Sequence, residues 1–107
     1  MKAKPFKPQY ELVDVAEISK QHPETFGVAS KKRIDALEVN QFAKLYFKYN
    51  KITERMWVIV THISKTRHGM RYVGILNNDP FVFPPDVIKD GDTVEFKQEH
   101  IVDILKG

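Results

Sequence analysis

The sequence predicts an α+β domain: a small, bent antiparallel sheet of about five strands, closing toward an SH3-like or OB-like half-barrel, with one or two short helices at its N-terminal end. Two observations carry that expectation. After residue 40 the spacing of apolar residues changes from a period near 3.6 to a period of 2. From there on, short apolar runs are separated by turns rich in Asn, Asp, Gly and Pro. Closure is expected because an open five-strand sheet leaves two exposed edges.

The elements follow in order. Lys2, Lys4, Pro5, Lys7 and Pro8 make residues 1–9 a basic, proline-interrupted arm, and residues 10–107 are read as the single domain. Asp14 is placed to cap a helix over 14–21, with Val15, Ile18 and Leu12 on one face, and Pro23 stops it. Phe26 to Ala29 reads as a short extended segment. Ser30 is a candidate N-cap for a second helix through Leu37, with Ile34 and Leu37 inward. Asn40 stands where the chain needs a left-handed residue before the first long strand.

Ala43, Leu45, Phe47 and Tyr49 alternate with Lys44, Tyr46 and Lys48, so that strand should bury one face. Met56 to Val60 is apolar at every position and predicts a central strand covered on both sides, with Trp57 buried. A turn over Lys65–Met70 leads to a strand from Arg71 to Leu76. Asn77 to Pro80 is a dense turn signal, and Phe81-Val82-Phe83 is an apolar run halted by Pro84-Pro85. A helical stretch from Val87, then Asp90-Gly91-Asp92, launches Thr93 to Lys97 with Val94 and Phe96 inward. Ile101 to Leu105 forms a last strand or short helix.

Composition excludes several classes. Hydrophobic residues make up 42% of the 107, with twelve aromatics, enough for a packed core and too many for a disordered chain. No apolar run reaches the ~18 residues of a membrane span, and the basic N-terminus lacks the apolar stretch of a signal peptide. Zero cysteines remove disulfides and thiol chemistry, and the cytoplasm is the expected location. The net charge of +3 hides an asymmetry: residues 1–78 carry +7 and residues 79–107 carry −4. Such a chain can pair its own two halves.

One resemblance is carried by several ordered pieces: His22-Pro23 with Thr25-Phe26, then Ile34, Leu37 and Ala43 to Phe47. Glu54-Arg55-Met56-Trp57-Val58, Gly74 to Pro80, and Gly91-Asp92-Thr93-Val94-Glu95-Phe96 with Ile101 continue it. Over roughly residues 22–105 the chain resembles a family of small bacterial proteins known only as a domain of unknown function. The resemblance departs at Val39-Asn40 and at the basic Lys31-Lys32-Arg33. It implies a compact β-rich domain without an assigned activity, substrate or cofactor. It also implies a protein partner, in a toxin–immunity or phage-defence setting.

The chemistry-bearing residues give no visible active site. His22, His62, His68 and His100 are not spaced as metal ligands, and His62 is expected half-buried on its strand. Asp86, Asp90 and Asp92 fit turn chemistry rather than a calcium loop. Ser19, Ser30 and Ser64 lie in no nucleophile motif, and no Gly-rich phosphate loop is present. The expectation is a non-enzymatic domain with no metal and no cofactor.

Three surfaces remain as candidates. Asn77, Asn78 and Asp79, followed by Phe81 and Phe83, read as a presented loop for a protein partner, although Asx turns alone could explain the polar residues. The alternative is a nucleic-acid-binding face using Lys44, Tyr46, Lys48, Arg67 and Arg71, where cations and a stacking ring coexist. A solvated face that protects sheet edges needs no partner at all. Third, Lys31, Lys32 and Arg33 would sit in the first turn of a helix, where cations are disfavoured and an anion would be welcome.

Overall fold

The computed structural model describes residues 8–23 and 27–106. Residues 1–7 of the expected arm, and Thr25 and Phe26 of the family-like motif, lie outside the described residues. Its elements are β1 (Glu11–Leu12), α1 (Val15–Gln21), α2 (Lys31–Asp35), β2 (Phe42–Tyr49), β3 (Ile52–Thr66) and β4 (Gly69–Leu76). β5 (Thr93–Phe96), a 3₁₀ turn (Gln98–His100) and β6 (Ile101–Leu105) complete the chain.

The strands form one antiparallel sheet in the order β1-β2-β3-β4-β5, and β6 pairs with β2 beside β1. The sheet curls into a half-barrel, as the strand spacing predicts. Ala43, Leu45 and Phe47 of β2 face Val58, Met56 and Glu54 of β3 across the ladder. All but Glu54 are fully buried. Tyr72 and Leu76 of β4, Val94 and Phe96 of β5, and Ile101 of β6 complete the same core.

The N-terminal expectations have local causes that the structure makes visible. Asp14 caps α1, its carboxylate accepting from the Glu17 N–H at 2.9 Å. Ser30 caps α2 by accepting from the Arg33 N–H at 3.3 Å. That helix ends at Asp35, two residues short of the expected Leu37, and the chain then turns through Asn40 at φ 74°. Leu37 is still buried, as Ile34 is. Ile101–Leu105 resolves as a strand, with the 3₁₀ turn before it. The segment from Val87 is a turn closed by Pro84 O, and Val28-Ala29 is irregular, tied to β6 by Ala29 N–H to Val102 O at 2.8 Å.

Two expectations about β3 are corrected. Its apolar run is not covered on both sides. Met56, Val58 and Val60 are buried, whereas Trp57 and Ile59 are half-buried on the outer face. The helices are too short and lie elsewhere, α1 against the 3₁₀ turn and β6, α2 against β6. Lys44, the register partner of Trp57, supplies the ring's shelter instead, with its ammonium 5.4 Å from the ring centroid. His62 is exposed rather than half-buried, because the β3–β4 register shifts between Val60 and His62.

Candidate functional site

A long loop, residues 77–92, leaves β4 and returns to start β5. Its two ends are locked together: Leu76 N–H donates to Asp92 O and Gly91 N–H to Leu76 O, both at 2.8 Å. Gly91 takes φ 92°, which a side chain would resist. Asn78 binds inward on two sides. Its Oδ1 accepts from the Trp57 N–H at 3.3 Å, and its own N–H donates to Asp90 Oδ1 at 3.0 Å. The polar turn that looked like a recognition surface is thus partly a scaffold.

Phe83 is corrected too. It is 5% exposed and belongs to the core, its ring edge-on to Phe47 at 6.5 Å and tilted against Tyr49 at 6.2 Å. Phe81 is the opposite: 92% exposed. Both rings are set by one residue that the sequence reading missed. Glu54 sits at the inward-facing position opposite Phe47, and its carboxylate accepts from the Phe81 N–H at 2.8 Å and the Val82 N–H at 3.0 Å. The clamp turns Phe83 into the barrel and leaves Phe81 and Val82 outside. Val82 is 44% exposed, and Ile52, two residues before Glu54 on the same face of β3, is 37% exposed. Asn77 and Asp79 are exposed at the start of this loop.

The basic candidates divide into two groups. Lys44, Tyr46 and Lys48 stand on the outer face of β2, and the ladder sets Lys44 opposite Trp57 and Tyr46 opposite Arg55. The Arg55 guanidinium lies 5.2 Å from the Tyr46 ring centroid. Sequence spacing alone gave no sign of Arg55 and Trp57 here; a register for β2–β3 would have. Arg67 is at the β3–β4 hairpin tip, and Arg71 pairs with Ser64. Seven strand positions separate Ser64 from Trp57, which is ~20 Å of chain. The structure does not bring these two groups together.

Two of the three cations of α2, Lys31 and Arg33, have acidic partners within the chain, whereas Lys32 is exposed and forms no ion pair among the described residues. Lys31 Nζ meets Asp35 Oδ1 at 2.6 Å. Hydrogen bonds from Lys31 and then from Gln98 hold the Asp35 carboxyl below its ordinary value. Arg33 Nη2 turns away from the helix start to Ile104 O at 2.8 Å and Asp103 Oδ1 at 3.3 Å. Internal pairing offsets the unfavourable placement of Lys31 and Arg33, and the Lys32 charge is left to solvent. Arg33, Lys44 and Arg55 also border a shallow depression of about 330 Å³ together with Asp103.

Among the described residues no three His, Asp or Glu side chains stand close enough to hold a metal ion. No helix among them is long and apolar enough to cross a membrane. No protein-family model, curated protein or solved structure matches the chain.

Proposed function

We propose that this chain is a non-enzymatic, cytoplasmic binding domain whose partner is another protein, engaged through Phe81. The observation that carries this reading is the combination of a 92% exposed aromatic with a backbone fixed on both sides of its peptide group by Glu54. An exposed Phe gains nothing for the folded state, whereas aromatic side chains on held backbones are the usual anchors of protein interfaces. Val82, next in the chain, is also exposed, and Asn77 and Asp79 are exposed polar residues at the start of the same loop, fit for a polar rim. The resemblance to small uncharacterised bacterial proteins favours the same class of partner, and it supplies the toxin–immunity or phage-defence setting.

A second reading has its own observation. Lys44, Tyr46, Arg55 and Trp57 form one interleaved patch of cations and rings on the outer sheet face, bordered by the Arg33 depression. Single-stranded nucleic acid binds such patches by stacking and phosphate contact. One experiment separates the two readings. Complexes retained by the wild-type chain are compared with those retained by Phe81→Asn, with thermal unfolding measured beside them. The protein-partner reading expects the partner to be lost, the unfolding temperature unchanged, and little effect of salt. Retention by Phe81→Asn of a bound oligonucleotide that is released steeply by salt would replace it with the second reading.

A further inference from the structure

β3 outruns the sheet. β2 pairs with it only as far as Ile59, and β5 pairs with β4 only from Tyr72 to Ile75. Past those partners the ladder is two-stranded: Ser64, Lys65 and Thr66 pair with Arg71, Met70 and Gly69, and with no other strand among the described residues. Ile63 and Met70 pack against the core and hold this ribbon, while every residue from Ser64 to Gly69 is exposed. The tip is fixed as well. The Thr66 hydroxyl donates to Gly69 O at 2.7 Å and accepts from the His68 N–H at 3.1 Å, and Gly69 takes φ 108°.

The charge on the ribbon has one sign. Lys65, Arg67 and Arg71 are exposed and form no ion pair among the described residues. No Asp or Glu occurs between Glu54 and Asp79. Along the ladder the nearest carboxylate is Glu95, opposite Val73 at the base of the ribbon. Asp35, which reaches the Tyr72 side through Gln98, is already engaged by Lys31 and Gln98. The three cations repel one another in the free protein, and a polyanion relieves that repulsion.

The geometry selects among polyanions. Alternation puts Lys65 on the same face as Met70, and Arg71 on the opposite face with Ser64, while Arg67 lies at the tip between them. Cations that diverge in this way suit two walls of phosphate on either side of the ribbon rather than one flat surface. The major groove of B-form DNA has that form: it is about 12 Å wide and admits a two-stranded ribbon. Single strands are held by stacked rings beside the cations, and residues 62–71 contain no Phe, Tyr or Trp. We propose that the β3–β4 ribbon enters the major groove of duplex DNA, with Lys65, Arg67 and Arg71 on the phosphates of its two walls. These contacts are to the backbone, so binding is independent of base sequence. The ribbon is separate from Phe81 and from the Lys44–Trp57 patch, so its failure leaves both earlier readings standing.

The test follows the fluorescence anisotropy of a short labelled DNA duplex as the chain is added. Three phosphate contacts give a log–log salt slope of about −2.7, a fall of about fortyfold in affinity between about 50 and 200 mM salt. Lys65→Gln, Arg67→Gln and Arg71→Gln should each reduce the slope by about 0.9 with the unfolding temperature unchanged, and the triple variant should lose binding. Lys20→Gln, a matched loss of charge on α1, should leave the slope as it is. Duplex RNA, whose major groove is too narrow for the ribbon, should bind about tenfold more weakly or worse. Absence of binding at about 50 mM salt would overturn the proposal, as would unchanged affinity in the triple variant. Equal affinity for a single strand of the same length would overturn it too, since a single strand has no groove.

Discussion

Removing the Glu54 carboxylate should release the loop that presents Phe81 while the sheet stays folded. Glu54→Ala deletes two acceptor contacts, to the Phe81 and Val82 N–H groups at 2.8 and 3.0 Å. A charged acceptor is worth ~1.5–3 kcal/mol per bond when water is excluded. Glu54 is half-buried and both N–H groups lie on an exposed segment, so water recovers much of that once the clamp is gone. A loss of about 1–3 kcal/mol for the pair is the expected magnitude. Full loss of Phe83 packing against Phe47 and Tyr49 would exceed it, at ~3–5 kcal/mol. The assay is amide hydrogen exchange, read together with a urea unfolding curve. Exchange at Phe81 and Val82 should accelerate by about tenfold or more, while the amides of β2 and β3 keep their protection apart from the global shift. Glu54→Gln retains one acceptor oxygen and should free one of the two amides. Affinity for a partner should fall in Glu54→Ala even with Phe81 intact, because the loop must then be ordered on binding. Unchanged protection of both amides in Glu54→Ala would refute the reasoning.

Local signals were the legible part of the sequence. The Asp14 and Ser30 caps, the left-handed Asn40, the alternation of β2 and the Asp90-Gly91-Asp92 turn each depend on residues within four or five positions. The structure reproduces them for that reason. What failed depends on partners far along the chain. An unbroken apolar run such as Met56–Val60 states that the strand is central, but not what covers its second face. Here a cross-strand lysine lies over Trp57 on that face, and the ring stays half-buried. The candidate loop misled in a similar way. Phe81 and Phe83 have the same composition and spacing signal, and only the Glu54 contact decides which ring enters the core.

One sign of Glu54 was available. In the alternation Ile52-Glu54-Met56-Val58-Val60 it is the single charge on the inward face of β3, and a charge at such a position requires a partner. A groove also opens between β1 and β5, and it had no comparable sign. Its residues, Tyr10 and Leu12 with Asp86, Thr93 and Glu95 among them, come from two distant parts of the chain, 8–12 and 86–100, and Tyr10 reads in sequence as any other aromatic near a terminus.

Gly74 is required for close approach of β4 to β3. A Cβ there would lie 2.8 Å from Ile59 O and 3.1 Å from Val58 Cγ2, so Gly74→Ala should cost about 1–3 kcal/mol, read as a lower urea midpoint. An unchanged midpoint would show that the bulged strand can yield. His100 supplies the pH dependence. Its Nδ1 accepts from the Lys97 N–H at 3.0 Å, which it can do only while that nitrogen is unprotonated. Burial is the largest cause of its lowered pKa, assisted by Lys97 and opposed by Glu99 and Asp14. Below its ordinary value of 6.5 the unfolded chain therefore takes up the proton more readily than the native one. The sign follows: this contribution is fully present above pH 6.5 and is lost as pH falls from there toward the lowered native value. His100→Asn keeps a short side-chain acceptor for the same N–H and removes the titration. Urea midpoints measured on both sides of that window should fall on acidification in the wild type and fall less in His100→Asn. An equal fall in both proteins would assign the acid sensitivity to other groups and leave His100 as packing alone.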